Sequence, residues 1–366
     1  MIIDRLILAD FRNYEALDLE LSRNLTVLVG PNASGKTNVI EAIQLVTAAR
    51  SFRRPAPGDV VRWGAEAARV RVQVAEHERS VEIQLDVQRE GSRTYRVNGQ
   101  TRRRLSEVTS VMPSVVFTPD DLGMVKGSGE RRRSAADDLG ETLSATYGSL
   151  RRDYGRVVRQ RNILLRDGAP AASMEPWDAQ LCSLGAKLVT HRLRLLERVM
   201  ARASKHYASM ADGEELAYRY ADRCALGSCA SLEEDEIAAA MRDELARRAE
   251  EERRRSLTLV GPHRDDVVFL VGGHDARSFA SQGQQRTIAL AWKLAEVQVV
   301  REVLRTDPVL LLDDVMSELD QERRRALSEL VLEDIQTVVT TTNTSYFTPE
   351  MLAAAKVVPT EGMSAA

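Results

Sequence analysis

Three short segments of this chain carry residue types whose spacing could do chemistry on a nucleoside triphosphate. Gly30-Pro31-Asn32-Ala33-Ser34-Gly35-Lys36-Thr37 fills every fixed position of G-x-x-x-x-G-K-[ST]. It directly follows the apolar run Leu25 to Val29, where a strand should feed a helix beginning near Lys36. Backbone N–H groups of such a loop and of the helix start can cradle phosphates. Lys36 should reach the β- and γ-phosphates of ATP, and the Thr37 hydroxyl should ligate Mg²⁺. Far along the chain, Pro308-Val-Leu-Leu-Leu-Asp313-Asp314 reads as a buried strand ending in two carboxylates. Asp313 is the expected Mg²⁺ partner, directly or through water, and Asp314 stands where a base could orient an attacking water. Lys36 and Asp314 are therefore the candidate catalytic pair.

The third segment is Ser281-Gln282-Gly283-Gln284-Gln285, which opens a helix with Ile288, Leu290, Ala291, Leu294 and Ala295 on its apolar side. A hydroxyl, a glycine allowing close backbone approach and a positive helix end together make an anion-binding device. The order of the three segments resembles that of ATPases whose nucleotide is completed by a second copy, and that resemblance implies that Ser281, Gln282 and Gly283 meet the γ-phosphate held by a partner chain. Ser317-Glu318-Leu319-Asp320 would lie at the same seam. An ordinary capped helix is the plainer reading of Ser281. The pairing with a phosphate loop favours an ATP-dependent homodimer.

These residues need a scaffold, and the periodicities describe one. Near-alternation of Ile3, Leu6, Leu8 and of Leu17, Leu19, Leu21 predicts strands, as do 68–75 and 80–88. Asn98-Gly99 is a hairpin signal. From about 130 to 255 the pattern is helical, broken at 168–172. Strands are then predicted at Leu257 to Val260, Val267 to Val271, Val309 to Leu312 and Ile335 to Thr342, with helices near 284–304 and 321–332. This is the α/β grammar of a mostly parallel sheet with covering helices. The expected organisation is one α/β domain, 1–125 with 256–366, interrupted by a helical lobe, 126–255.

Composition bounds the rest. The chain's 366 residues, 43% of them hydrophobic, suffice for a full core and two lobes. No run approaches the ~18–20 apolar residues of a membrane span, and Met1-Ile2-Ile3-Asp4-Arg5 lacks a signal-peptide layout. Cys182, Cys224 and Cys229 are odd in number and lack C-x-x-C spacing, which supports neither disulfides nor structural zinc. His77, His191, His206, His263 and His274 are scattered. A soluble cytoplasmic protein is expected. The net charge of −3 conceals local asymmetry: nine arginines face four acids between Arg131 and Arg166. Arg152, Arg156 and Arg159 fall at i, i+4 and i+7, one helical stripe suited to sequence-independent phosphate contact with duplex DNA. Arg131, Arg132 and Arg133 form a second candidate and Arg102 to Arg104 a third; a solvated face is the bland reading of each. Glu250 to Arg255 reads as a solvated helix face.

Taken together the motifs resemble the ABC-type P-loop ATPase heads of chromosome maintenance, the SMC and Rad50 group, and within it most closely the RecF family. The segments that carry the likeness span nearly the whole chain. They are Phe11-Arg-Asn-Tyr14, the phosphate loop with Asn38 to Ile43, Ser51-Phe-Arg53, Val116 to Leu122, Glu130 to Arg133, Gly261-Pro-His-Arg-Asp-Asp266, Ser281 to Thr287 and Asp313 to Asp320. The resemblance implies ATP-dependent binding to duplex DNA near single-strand gaps, and help in loading RecA recombinase with RecO- and RecR-type partners. It implies a weak, DNA-dependent ATPase used as a switch. Asp314 stands where the wider superfamily usually carries Glu, which points to slow hydrolysis, a timer. No histidine follows Val338-Val-Thr340-Thr-Thr342, so the γ-phosphate-sensing role of that position is either missing or falls to a threonine, and Gln44 lies too early for a glutamine loop. A structural SMC- or Rad50-like head is the runner-up, disfavoured by an insert of roughly 125 residues without sustained heptads. A transporter ATPase subunit is disfavoured by Asp313-Asp314 and the basic insert.

Overall fold

The computed structural model describes the chain except residues 77–78, 212, 223, 225–232, 334 and 361–366. It separates into two compact units, Met1–Leu122 with Glu296–Ala366, and Gly123–Ala295.

The first unit contains two sheets. One is antiparallel, ordered β2-β1-β4-β5-β6-β7, from β1 (Ile2–Phe11), β2 (Tyr14–Glu20), β4 (Ala67–Glu76), β5 (Arg79–Gln88), β6 (Arg93–Val97) and β7 (Gln100–Arg102). Its inward residues, among them Leu6, Leu8, Val70, Val72, Ile83 and Leu85, are buried at every second position, the period of a half-buried strand. Asn98 and Gly99, both at positive φ, make the predicted two-residue turn between β6 and β7. The other sheet is parallel, ordered β14-β3-β13-β12-β8, from β3 (Leu25–Val29), β8 (Ser114–Phe117), β12 (Val309–Asp313), β13 (Thr337–Thr341) and β14 (Ala355–Pro359). β12 and β13 are buried at all positions, as strands covered on both faces must be. The helix Lys36–Thr47 packs into the same core through Val39, Ile40, Ile43 and Val46. Gln336 ties the sheets together: its side chain accepts from Ile3 N (2.7 Å) and donates to the carbonyls of Ile3 (2.7 Å) and Ser22 (2.9 Å).

The second unit holds the helices Gly129–Leu143, Ala145–Arg166, Ala171–Met210 and Glu234–Arg255, with a small antiparallel sheet. That sheet is ordered β11-β10-β9, from β9 (Leu216–Ala221), β10 (Asp266–Val271) and β11 (His274–Asp275). Ala145–Arg166 buries Tyr147, Leu150, Tyr154, Val157, Arg161 and Leu165 at helical spacing. Buried ion pairs cross-link the helices. Arg192, 1% exposed, binds both oxygens of Asp137 (2.9 and 3.0 Å) and the Pro262 carbonyl. Arg161 binds the buried Glu252 (2.6 Å), Asp178 and Thr258. Cys182 and Cys224 are buried free thiols, and Cys229 lies outside the described residues, as does His77.

The fold departs from the sequence expectations at three places. A strand, β9, interrupts the stretch read as helical apart from the break at 168–172, because Leu216 and Tyr220 pair into a sheet with β10. Leu257 to Val260 is not a strand, since side chains satisfy its backbone: Asn162 accepts from Thr258 N (2.7 Å) and Glu252 from Leu259 N (2.6 Å). Glu252 is therefore no solvated surface residue; it is fully buried. Residues 256 to 295 fall within the second compact unit, Gly123–Ala295.

Candidate nucleotide site

The phosphate loop leaves β3 at Val29 and enters the helix at Lys36. Ala33 (φ 65°) and Gly35 (φ 97°) take left-handed backbone conformations that curl it. Gly35 also has no room for a side chain, since a Cβ there would lie 2.6 Å from Asn13 Nδ2 and 2.7 Å from the Tyr14 hydroxyl. Burial pushes the Tyr14 phenol up to about 12, so it stays neutral. Lys36 is 6% exposed and donates to the loop's own carbonyls, Gly30 O and Pro31 O, both at 2.7 Å. An ammonium has three protons, so one remains for a phosphate. Burial lowers the Lys36 pKa, against the pull of Asp314 and then Asp313.

The two carboxylates lie at the C-terminal end of β12, where parallel pairing with β13 sets Asp313 against Thr340. Asp313 Oδ1 accepts from the hydroxyls of both Thr37 and Thr340, each at 2.8 Å. A hydroxyl and a carboxylate oxygen at this separation, beside a phosphate loop, fit Mg²⁺, which prefers hard oxygen ligands and completes its shell with phosphate and water. Thr340 Oγ1 also accepts from Asp314 N (3.0 Å). One hydroxyl thus fixes both acids, at the strand end where the sequence offers no histidine. Asp314 sits at φ 52°, a left-handed position that costs a non-glycine residue about 1–3 kcal/mol. Its Oδ1 is buried without a hydrogen-bond partner among the described residues. Burial, then Asp313 and Glu318, raise its pKa, against Lys36 and a hydrogen bond from Ser317. A carboxylate with an unmet acceptor is chemically suited to take a hydrogen bond from water.

Two further polar groups near the loop have no signal in the local sequence. Glu41, fully buried on the phosphate-loop helix, is held by Arg12 (2.7 and 2.9 Å), Arg53 (3.2 Å) and Ser51 (2.6 Å). That convergence explains why Phe11-Arg-Asn-Tyr14 and Ser51-Phe-Arg53 both matter to one helix. Nothing in local spacing reveals it. Gln44 is buried and accepts from Phe52 N (2.7 Å), a structural bond.

In the second unit, Ser281 begins the helix Gln282–Leu304 through a reciprocal capping box. Ser281 Oγ accepts from Gln284 N (3.2 Å), and Gln284 Oε1 accepts from Ser281 N (2.8 Å). Gln284 Nε2 is anchored on Glu214 (2.9 and 3.1 Å), which also accepts from the Tyr207 hydroxyl. Ser281 and Gln282 are exposed, and the serine proton remains to donate. Of the arginine candidates, Arg152, Arg156 and Arg159 are all exposed on one helix face, Arg156 beside Asp153 (3.1 Å). The Arg131 to Arg133 cluster divides. Arg131 is exposed, whereas Arg132 is 4% exposed, paired with Asp266 (2.8 and 3.0 Å), and donates to the carbonyls of Met124, Val125 and Gly127. Arg133 is half-buried and donates to the Asp265 carbonyl. Arg132 is thus a structural residue with no spare donor face for DNA, and Arg133 is partly so. Within the Gly261 to Asp266 loop, His263 bonds the Tyr154 hydroxyl (2.7 Å) and the Thr258 carbonyl (3.1 Å). Burial lowers its pKa to about 4, so it is neutral and structural near pH 7.

Comparison with known proteins places the whole chain in a family. Residues 2–364 match the RecF/RecN/SMC N terminal domain family. The chain is 39% identical over 345 residues to a DNA replication and repair protein RecF of Symbiobacterium thermophilum, covering 94% of this chain and 92% of that one. It is 40% identical over 347 residues to the RecF of Moorella thermoacetica, covering 93% and 90%. Among solved structures, the recombination mediator protein RecF of the RecFOR pathway, solved as RecF-ATPrS, superposes with a TM-score of 0.88 at 30% identity, covering 95% and 94%. An Smc head bound to the C-winged helix domain of ScpA shares the fold, with a TM-score of 0.56 at 18% identity, covering 98% and 94%. Among the described residues, no helix is long and apolar enough to cross a membrane.

Proposed function

The chain belongs to the RecF family of the RecF/RecN/SMC ATPases, and from that premise we propose that it is an ATP-dependent DNA-binding repair protein that closes as a homodimer. Gly30 to Thr37 would hold the ATP phosphates, Thr37 and Asp313 would hold Mg²⁺, which would supply charge neutralisation there, and Asp314 would orient the attacking water. Ser281, Gln282 and Gly283 of a second copy would complete the site. The closed dimer would bind duplex DNA near single-strand gaps in the cytoplasm and act with RecO- and RecR-type proteins in loading RecA. Slow hydrolysis would set its lifetime. The single observation that carries this reading is Asp313 Oδ1 receiving the hydroxyls of Thr37 and Thr340 beside the phosphate loop. The first of these hydrogen bonds draws together the two residues that would hold Mg²⁺.

The test is duplex and gapped DNA binding with and without ATP, alongside molecular mass by analytical ultracentrifugation. Tighter gapped-DNA binding and doubled mass with ATP are expected; ATP-independent binding by a monomer would refute the proposal. The DNA face is testable separately. Substituting Arg152, Arg156 and Arg159 by Glu should weaken binding to all sequences alike. The slope of log K against log salt should shrink by about 2–3, roughly 0.9 for each phosphate no longer neutralised. An unchanged slope would move the DNA surface elsewhere.

A further inference from the structure

We propose that Thr360 is a positioning residue of the nucleotide site, and that the edge strand β14 holds the phosphate loop in its binding shape. The proposal rests on the reading that this loop binds ATP. β14 runs parallel to β3, Pro359 opposite Val29, and Thr360 N donates to the Val29 carbonyl (2.8 Å) at the point where the loop begins. The Thr360 side chain then turns onto the loop: its hydroxyl donates to Ser34 Oγ (2.8 Å), and the residue is 2% exposed. Lys36 closes the same loop from the other side through Gly30 O and Pro31 O.

This hydrogen bond gives the motif's first glycine a reason of its own. Gly35 needs its left-handed backbone, but Gly30 does not have a positive φ. Conformational freedom is therefore not what requires glycine at position 30. A Cβ there would lie 1.9 Å from Thr360 Oγ1, 3.2 Å from Thr360 Cβ and 3.4 Å from Ser34 Oγ. The first of these is impossible and the others are tolerable with small shifts. Gly30 is glycine because Thr360 occupies its side-chain space. A loop already closed by Thr360 loses less freedom when a triphosphate binds, so the hydroxyl should act on affinity more than on turnover.

The experiment is calorimetric titration of ATP with Mg²⁺ into the full chain, with steady-state hydrolysis and melting temperature measured on each variant. Thr360→Val keeps the shape and removes the hydroxyl; its ATP Kd should rise about 5-fold, the usual net worth of one hydrogen bond. Turnover at saturating ATP should stay within about twofold. Thr360→Ser should restore the affinity. Gly30→Ala should raise Kd by more than about 50-fold or prevent folding, because it overpacks a closed site. Gly30→Ala with Thr360→Ala should recover both folding and an affinity within about fivefold of Thr360→Ala alone, as coupled neighbours do. Wild-type affinity in Thr360→Val, or a double variant as impaired as Gly30→Ala, overturns the assignment of Thr360. A wild type that fails to bind ATP would overturn the nucleotide reading with it.

Discussion

Replacing Lys36 with alanine should weaken ATP binding by about two orders of magnitude and leave the melting temperature nearly unchanged. The ammonium is almost wholly buried, yet it donates to two carbonyls of its own loop and, among the described residues, pairs with no carboxylate at hydrogen-bond distance. Burial lowers its pKa, with only Asp314 and Asp313 to oppose. Such a charge is poorly compensated until a polyanion arrives. A hydrogen bond to a charged group contributes about 1.5–3 kcal/mol, and 1.4 kcal/mol is tenfold in affinity. Removing one or two such bonds to phosphate thus gives roughly 100-fold. Calorimetry of the variant with ATP decides the matter: an affinity within threefold or so of wild type (about 0.7 kcal/mol) would remove Lys36 from the site. Asp313→Asn should act on the same step through Mg²⁺, and its effect should not add fully to that of Lys36→Ala, because neighbouring groups couple.

Ser281→Arg should leave ATP binding by the single chain within about twofold and abolish ATP-induced dimers. The reason is local. Ser281 is exposed, its oxygen is already used to cap Gln284 N, and its partner Gln284 is fixed on Glu214. The residue therefore presents one hydroxyl proton and little bulk at the positive end of a 23-residue helix. Arginine removes the cap, which costs about 1 kcal/mol locally, and fills the space that a second copy's triphosphate would enter. Sedimentation with ATP should show monomers across concentrations at which wild type dimerises. Equal dimer fractions would mean that Ser281 faces something other than a second copy.

The parts of this molecule legible in the sequence were those governed by local rules. A phosphate loop declares itself by spacing, β12 by four apolar residues before two acids, and the Asn98-Gly99 turn by its demand for positive φ. Capping at Ser281 was legible for the same reason. What stayed hidden depends on partners distant in the chain. Thr340 is one threonine among several until register sets it opposite Asp313. Arg132 looks like a basic surface residue until its carboxylate partner, 134 positions away, is known. Glu252 sits in a run of charges that reads as solvated, although Arg161 buries it. β14 has no strong strand pattern, being exposed along much of its length, and only pairing with β3 makes it a strand.

The order of the parallel sheet also sets a schedule. β3 and β8 are made early, while β12, β13 and β14 follow the whole segment Gly123–Ala295. Gln336 must bond Ile3 across 333 positions. At roughly 5–20 residues per second of synthesis, β3 waits on the order of half a minute for its neighbours. The intervening unit is contiguous and emerges complete, so it is free to fold first. High contact order makes closure of the sheet the slow step. A chain stalled before Val309 would carry two apolar strands with bare edges, the form most prone to pair with other chains. The candidate nucleotide site, built from both sides of that gap, is thus among the last features of the protein to exist.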